Sequence, residues 1–132
     1  TMKELQKAEE RYRTVFENTG AGTIIVEDDT IISLANSKFL QMAGYSSKTD
    51  IEGIKSWKEF FDASVISFME TYHVARRNKE HAHKIPTQYT TVFVDRYGKR
   101  KNVLMTVGVI PDTTKAVASI VVLPDQINTP LL

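Results

Sequence analysis

The sequence contains no cysteine in its 132 residues. That excludes disulfide staples, zinc–thiolate sites, iron–sulfur clusters and cysteine nucleophiles. It also excludes photochemistry that needs a cysteine bond to a flavin. A cysteine-free chain accords with a reducing, cytoplasmic setting. No apolar run approaches the length of a membrane span and no leader pattern is visible, so no membrane contact is expected from this segment. A surplus of one charge is missing too: 17 Lys and Arg against 16 Asp and Glu give a net charge of +1. The whole domain thus has no electrostatic reason to bind nucleic acid. The six glycines form no phosphate-cradling loop. There is no internal repeat and no low-complexity stretch.

What is present is ordinary for a globular protein, 42% hydrophobic and 25% charged, at a length that fits one domain with one core. Leu5, Ala8, Tyr12, Val15 and Phe16 recur at three- and four-residue steps and predict a helix from Lys3 to Asn18. Its first half is too polar to bury much surface alone, so it is expected to lean on a partner helix or on the domain. Ile24–Val26 and Ile31–Ala35 flank the polar stretch Glu27–Thr30 and predict a β-hairpin. Asn36 then suits the N-cap of a helix carrying Phe39, Leu40 and Ala43, which Gly44 stops. A helical turn is expected at Asp50–Glu52, a short helix at Trp57–Phe61, and a longer one, capped by Asp62, from Ala63 to about Asn78. Val65, Met69, Tyr72 and Arg76 share a side of that longer helix. The last third switches to period two. Strands are predicted at Thr87–Val94, alternating around Tyr89, Thr91 and Phe93, at Asn102–Ile110, and at Ala116–Leu123.

A hairpin, a helical middle and a three-stranded meander predict an α+β fold. Five antiparallel strands form one sheet, helices pack over one face, and a pocket lies between the layers. The expected organisation is a flanking helix over 1–18, a body over 19–125, and a tail or severed linker over 126–132. The best ligand-pocket candidates are Leu34, Phe39, Leu40, Trp57, Phe61, Met69, Tyr72, Val92, Met105 and Val107, with Ile24, Val26 and Ile120 beside them. Tyr72, Tyr89, Thr91 and Asn36 are the polar groups that would orient a small molecule, Asn36 being first a helix cap. Most of these residues are core whether or not a ligand binds.

No catalytic residue is assigned. The serines lack a local triad context, and Glu27-Asp28-Asp29 reads as an exposed turn. A cone-shaped α+β isomerase would need a carboxylate base inside its cavity, and the inward candidates are apolar. The basic runs Arg76-Arg77 with Lys79, and Arg96 with Lys99–Lys101, fall at a helix end and a hairpin tip, both ordinary places for solvated charge. His81 and His83 form a His-x-His pair with no third ligand at sensible spacing, so no metal site is expected.

Four stretches in order resemble the PAS family of sensory domains: RYRTVFENTGAGTIIVEDD, IISLANSKFLQMAGYS, VDRYGKRKNVLMTVGVIPD and KAVASIVVLPD. The resemblance covers Arg11 to Asp125. Two places depart from the family pattern. Arg96-Tyr97 precedes Gly98 at a hairpin tip that usually carries Asp-Gly, and Val122-Leu123-Pro124 stands where many members have Asp-Ile-Thr. The resemblance implies a PAS-like sheet with helices on one face. It also implies a regulatory, non-enzymatic input module of a longer signalling chain, typically a sensor histidine kinase of a two-component system, with its effector domain covalently linked outside this segment. A small ligand between helices and sheet, a homodimer through the flanking helix or the sheet, and a cytoplasmic place (as part of a membrane-associated sensor or not) go with it. Four readings stand in order: a small-ligand sensor, a ligandless dimerisation module, a haem gas or redox sensor through His83, and a small isomerase-like enzyme. No cofactor is the first expectation; haem on His83, which sits where haem-binding relatives carry a proximal histidine, and a non-covalent flavin are the alternatives.

Overall fold

The protein is described by a computed structural model covering residues 1–124. The predicted tail, and Asp125 at the end of the predicted body, lie outside the described residues. Helix α1 (Met2–Glu17) starts one residue earlier than the periodicity predicts, because Thr1 and Glu4 form a reciprocal capping box. Phe16 alone of its residues is buried, while Met2, Leu5, Tyr12 and Val15 are exposed. Strands β1 (Gly22–Val26) and β2 (Ile32–Ala35) make the hairpin. Helix α2 (Ser37–Ala43) follows, then 3-10 turns at Lys48–Asp50 and Trp57–Phe60, then helix α3 (Ala63–Arg76) and a 3-10 turn at Ala82–Lys84. Strands β3 (Gln88–Val94), β4 (Arg100–Val109) and β5 (Ala116–Val122) complete the chain.

The five strands form one antiparallel sheet in the order β2-β1-β5-β4-β3. Hairpin and meander are joined by β1 and β5, which pair from Gly22↔Ile120 to Val26↔Ala116. This arrangement explains why β1 is GTIIV with every residue buried: it has a neighbour on each edge and helices over its face. Where sequence and structure differ, local caps decide. Ser47 moves the predicted turn at Asp50–Glu52 back to Lys48–Asp50. Ser56 and Glu59 close a capping box at the start of Trp57–Phe60, which is a 3-10 turn instead of the expected short helix. The long helix ends at Arg76, two residues short of Asn78, with Arg77 as its cap. Among the described residues no helix is long and apolar enough to cross a membrane.

Two groups hold the layers together. Asn36 is fully buried and uses its whole side-chain amide. Its Oδ1 accepts from the backbone N–H of Phe39 and of Thr23, both at 2.9 Å. Its Nδ2 donates to the carbonyls of Phe16 at 2.8 Å and Ala21 at 3.0 Å. One residue thereby caps α2 and ties it to β1 and to the end of α1. The second group is an aromatic chain. Phe39 meets Phe60 and Phe93 edge-on at 5.2 and 6.0 Å, Phe93 meets Phe61 at 5.8 Å, Phe61 meets Trp57 at 6.2 Å, and Trp57 leans on His73 at 5.8 Å. Beta strand β1 also approaches α2 so closely that a Cβ at Gly22 would overlap Met42 Sδ and stand 3.3 Å from Phe39 Cα.

Candidate functional site: a cavity beneath α3

Helix α3 lies over the sheet where the strands carry small residues. On β5, Ala118 sits between Ile24 of β1 and Val107 of β4, and Ala116 between Val26 and Val109. The space the alanines leave is a cavity of about 40 Å³, roofed by Met69, His73, Arg76 and Arg77 and walled by Trp57, Phe61 and Tyr89. That volume holds about three waters. Met69, His73 and Arg76 fall at i, i+4 and i+7, so one face of α3 brings an apolar group, an imidazole and a guanidinium over one spot.

The polar groups at this cavity differ in how far they are already committed. His73 is buried, and burial first, then the positive charges of Arg77, Arg76 and Lys58, hold its pKa below the ordinary value against a hydrogen bond to Asp28. Its Nε2 donates to the Asp28 carbonyl at 2.9 Å, since a carbonyl can only accept. Nδ1 is then the lone-pair nitrogen, and Arg77 Nη1 donates to it at 3.2 Å. Arg77 places three more of its five donors on carbonyls: Thr114 at 2.7 Å, His73 at 2.8 Å and Val26 at 3.4 Å. It therefore clamps the end of α3 to β1 and to the turn between β4 and β5.

Arg76 is far less committed. Its Nη2 donates to the Pro86 carbonyl at 3.4 Å, and its neighbours are the phenols of Tyr89 and Tyr72. Burial lowers its pKa, those phenols working against the shift. Burial likewise raises that of Tyr89, with Arg76 opposing. Among the described residues no carboxylate lies within 4 Å of Arg76 or Arg77, although Asp28 and Glu27 act on Arg77 from further away. Trp57 is 5% exposed, and its indole Nε1–H has no acceptor among the described residues. An unpaired buried donor costs about 1–3 kcal/mol.

Of the ten residues the sequence proposed for a pocket, Trp57, Phe61, Met69, Met105 and Val107 come together here. Phe39 and Leu40 are core beneath α2 and do not line the cavity. Tyr72 packs with Phe68 and Tyr89 beside it. Leu34 and Val92 correct the sequence reading: Leu34 is 37% exposed, and Val92 alternates with the buried Thr91 and Phe93, so both point to the other side of their strands. Thr91 is occupied by Met69 Sδ at 3.3 Å, and Asn36 by its backbone partners. His83 is exposed on the 3-10 turn at Ala82–Lys84 and lines no part of the cavity. A space of about 40 Å³ fits neither a haem nor a flavin ring system, so these residues do not fit either group. Among the described residues no three His, Asp or Glu side chains gather as metal ligands. Sequence reasoning missed His73, Arg76 and Arg77 as cavity residues. The available signal was the position of Arg76 in the same helical stripe as Met69.

The PAS domain family profile matches residues 10–77, more than half of the chain. No curated protein matches. Solved structures do. The PAS domain of an HTR-like protein from Haloarcula marismortui is 18% identical, with a TM-score of 0.67 over 92% of this chain and 97% of that one. A domain of a sensory box sensor histidine kinase/response regulator from Geobacter sulfurreducens is 19% identical, with a TM-score of 0.68 over 88% and 95%. The LOV protein of Rhodobacter sphaeroides is 18% identical, with a TM-score of 0.67 over 92% and 69%. At these identities the structures speak to the fold alone, and it is the profile, matched over more than half of the residues, that shows the family: the chain belongs to the PAS domain family.

Proposed function

We propose that this PAS domain is the input module of a larger signalling chain, a sensor histidine kinase, and that it responds to a small molecule in the cavity beneath α3. The observation that carries the reading is the cavity itself. It is walled by apolar side chains from three strands and α3, yet one wall residue, Trp57, has an N–H without an acceptor among the described residues, and a half-committed guanidinium stands at its side. A ligand there touches α3 and the sheet at once. Arg77 already couples those two layers, so occupancy would change how α3 sits on β1 and on the β4–β5 turn. The bias would pass to an effector outside this chain. The role is regulatory, in the cytoplasm, with no catalysis of its own.

One observation favours a second reading. Met2, Leu5, Tyr12 and Val15 leave an apolar stripe on α1 without cover, which suits a ligandless dimerisation module. One experiment separates the two. The domain is expressed with haem and flavin precursors supplied, and its absorption and native mass spectra are recorded beside those of Ala118→Val, which fills the cavity. A colourless protein with extra bound mass, lost in Ala118→Val, supports the ligand sensor. Bare chain mass in both defeats the sensor reading, and a mass of two copies supports the dimerisation module. A Soret or flavin band defeats the size limit drawn from the cavity.

A further inference from the structure

We propose that the cavity beneath α3 takes a small organic monoanion, a short-chain carboxylate, with its charge received by Arg76 and its hydrocarbon end on the apolar floor. This rests on the ligand-sensor reading above and names the class of ligand. Among the residues lining the cavity the uncommitted polar atoms are donors, apart from the Tyr89 phenol, which both donates and accepts. Arg76 has five N–H donors, of which one makes a long bond to Pro86 and another faces the Tyr89 phenol oxygen, so most stay open. Trp57 Nε1–H is buried without an acceptor. Groups that might have served a different ligand are already used. His73 has its proton on the Asp28 carbonyl and its lone pair on Arg77, and Met69 Sδ accepts from Thr91.

A ligand that only accepts hydrogen bonds suits such a set, and a carboxylate does nothing else. A cationic ligand would meet Arg76, with no carboxylate among the lining residues to receive it. The charges around the site do not cancel this preference. Lys58 is paired with Glu70 at 3.0 Å, and Glu27 has Lys115 at 3.8 Å. Glu27 and Asp28 act on Arg77 and are absent from the influences on Arg76. A single negative charge follows from Arg77, four of whose five donors go to three carbonyls and the His73 ring, leaving Arg76 as the open guanidinium. Size follows from the volume: space for about three waters matches a chain of about three or four carbons.

The chain carries one tryptophan, so its indole N–H gives a single, unambiguous NMR signal. The test follows that signal in the whole 132-residue domain during titration with propionate and, separately, with the neutral isostere propionamide. Propionate is expected to move it saturably, with at least about tenfold tighter binding than the amide, as befits a charge-assisted bond. Arg76→Gln is expected to bring propionate down to the affinity of the amide, with the amide itself little changed. Arg76→Lys is expected to retain most of the preference. Equal binding of acid and amide by the wild-type domain, or an unchanged preference in folded Arg76→Gln, overturns the anion assignment and leaves the cavity reading standing. No movement with either probe in the tens-of-millimolar range overturns both. Should Arg76→Gln fail to fold, the wild-type acid-to-amide ratio still decides.

Discussion

Replacing Asn36 with alanine tests whether one buried amide holds three elements together. The side chain makes four hydrogen bonds of 2.8 to 3.0 Å, all to backbone groups and all buried. An ordinary N-cap is worth about 1 kcal/mol. The other three bonds add about 1 kcal/mol each, and their backbone partners are left unpaired in the core. A loss of roughly 3–5 kcal/mol is expected, after some relief from water entering the vacated space. That is a large part of the 5–15 kcal/mol, roughly, by which domains are stable. It corresponds to a fall in Tm of about 10–20 °C at this size. Asn36→Ser keeps an acceptor for the Phe39 N–H and cannot reach Phe16 and Ala21 together, so it should fall between wild type and Asn36→Ala. Urea unfolding followed by far-UV circular dichroism gives the midpoints. If Asn36→Ala costs no more than the single cap, with an unchanged m-value, then the bonds to β1 and α1 contribute nothing and the assignment of Asn36 as a three-way tie is wrong.

Other outcomes follow from the same geometry. His73 is held neutral in the fold, so the unfolded chain takes up its proton first. Stability is complete above the unfolded pKa of about 6.5 and falls as pH drops below it. Urea midpoints at about pH 8 and about pH 5.5 should differ more for wild type than for His73→Gln, and an equal difference would remove His73 as the cause. Asp62, at the N-cap of α3, is lowered to about 2 by the Ser64 hydroxyl first, then Arg100 and the Ser64 N–H. Its contribution is present above the unfolded value near 4 and is lost as pH falls through about 2. A carbon-13 titration placing the Asp62 carboxyl at an ordinary value would contradict this. Gly22→Ala should cost about 1–3 kcal/mol, because Met42 can swing aside but the backbone at Phe39 cannot. An unchanged unfolding midpoint would show that β1 and α2 can separate freely.

The fold was legible because its signals are local and periodic. Asn36 before Phe39 and Leu40, the alternation of Tyr89, Thr91 and Phe93, and Gly44 at a left-handed stop each name an element without help from distant parts of the chain. That hairpin and meander join into one antiparallel sheet was readable, whereas the edges that meet, β1 and β5, are set by packing and not by local signals. The site was half legible, for a physical reason. Periodicity tells which side of an element a residue takes, and so finds Met69, Met105 and Val107. It does not tell whether a polar atom finds a partner. Arg76 looked like a cation complementing a helix end, and its lack of a carboxylate depends on β3 and on the turn before it. Leu34 failed for a related reason. The hairpin carries an irregularity between Ile25 and Val26, so counting apolar residues along β2 puts Leu34 on the wrong face. The free N–H of Trp57 has no sequence signature at all, since only the packed walls exclude its acceptors.

The pairing of β1 with β5 has a mechanical consequence. Gly22, where the chain enters the sheet, is opposite Ile120, two residues before β5 ends. The strands run antiparallel, so the segment arriving from α1 and the segment leaving after β5 attach at the same end of adjacent strands, about 5 Å apart. A pull that separates those two segments loads the rung at Gly22–Ile120 alone, then the next, and opens the ladder like a zip. A sliding load along the strands would have to break all the rungs together. The domain is thus compliant to spreading of its two attachments and stiff to shear, and a small change in their separation is felt first at the strand that floors the cavity.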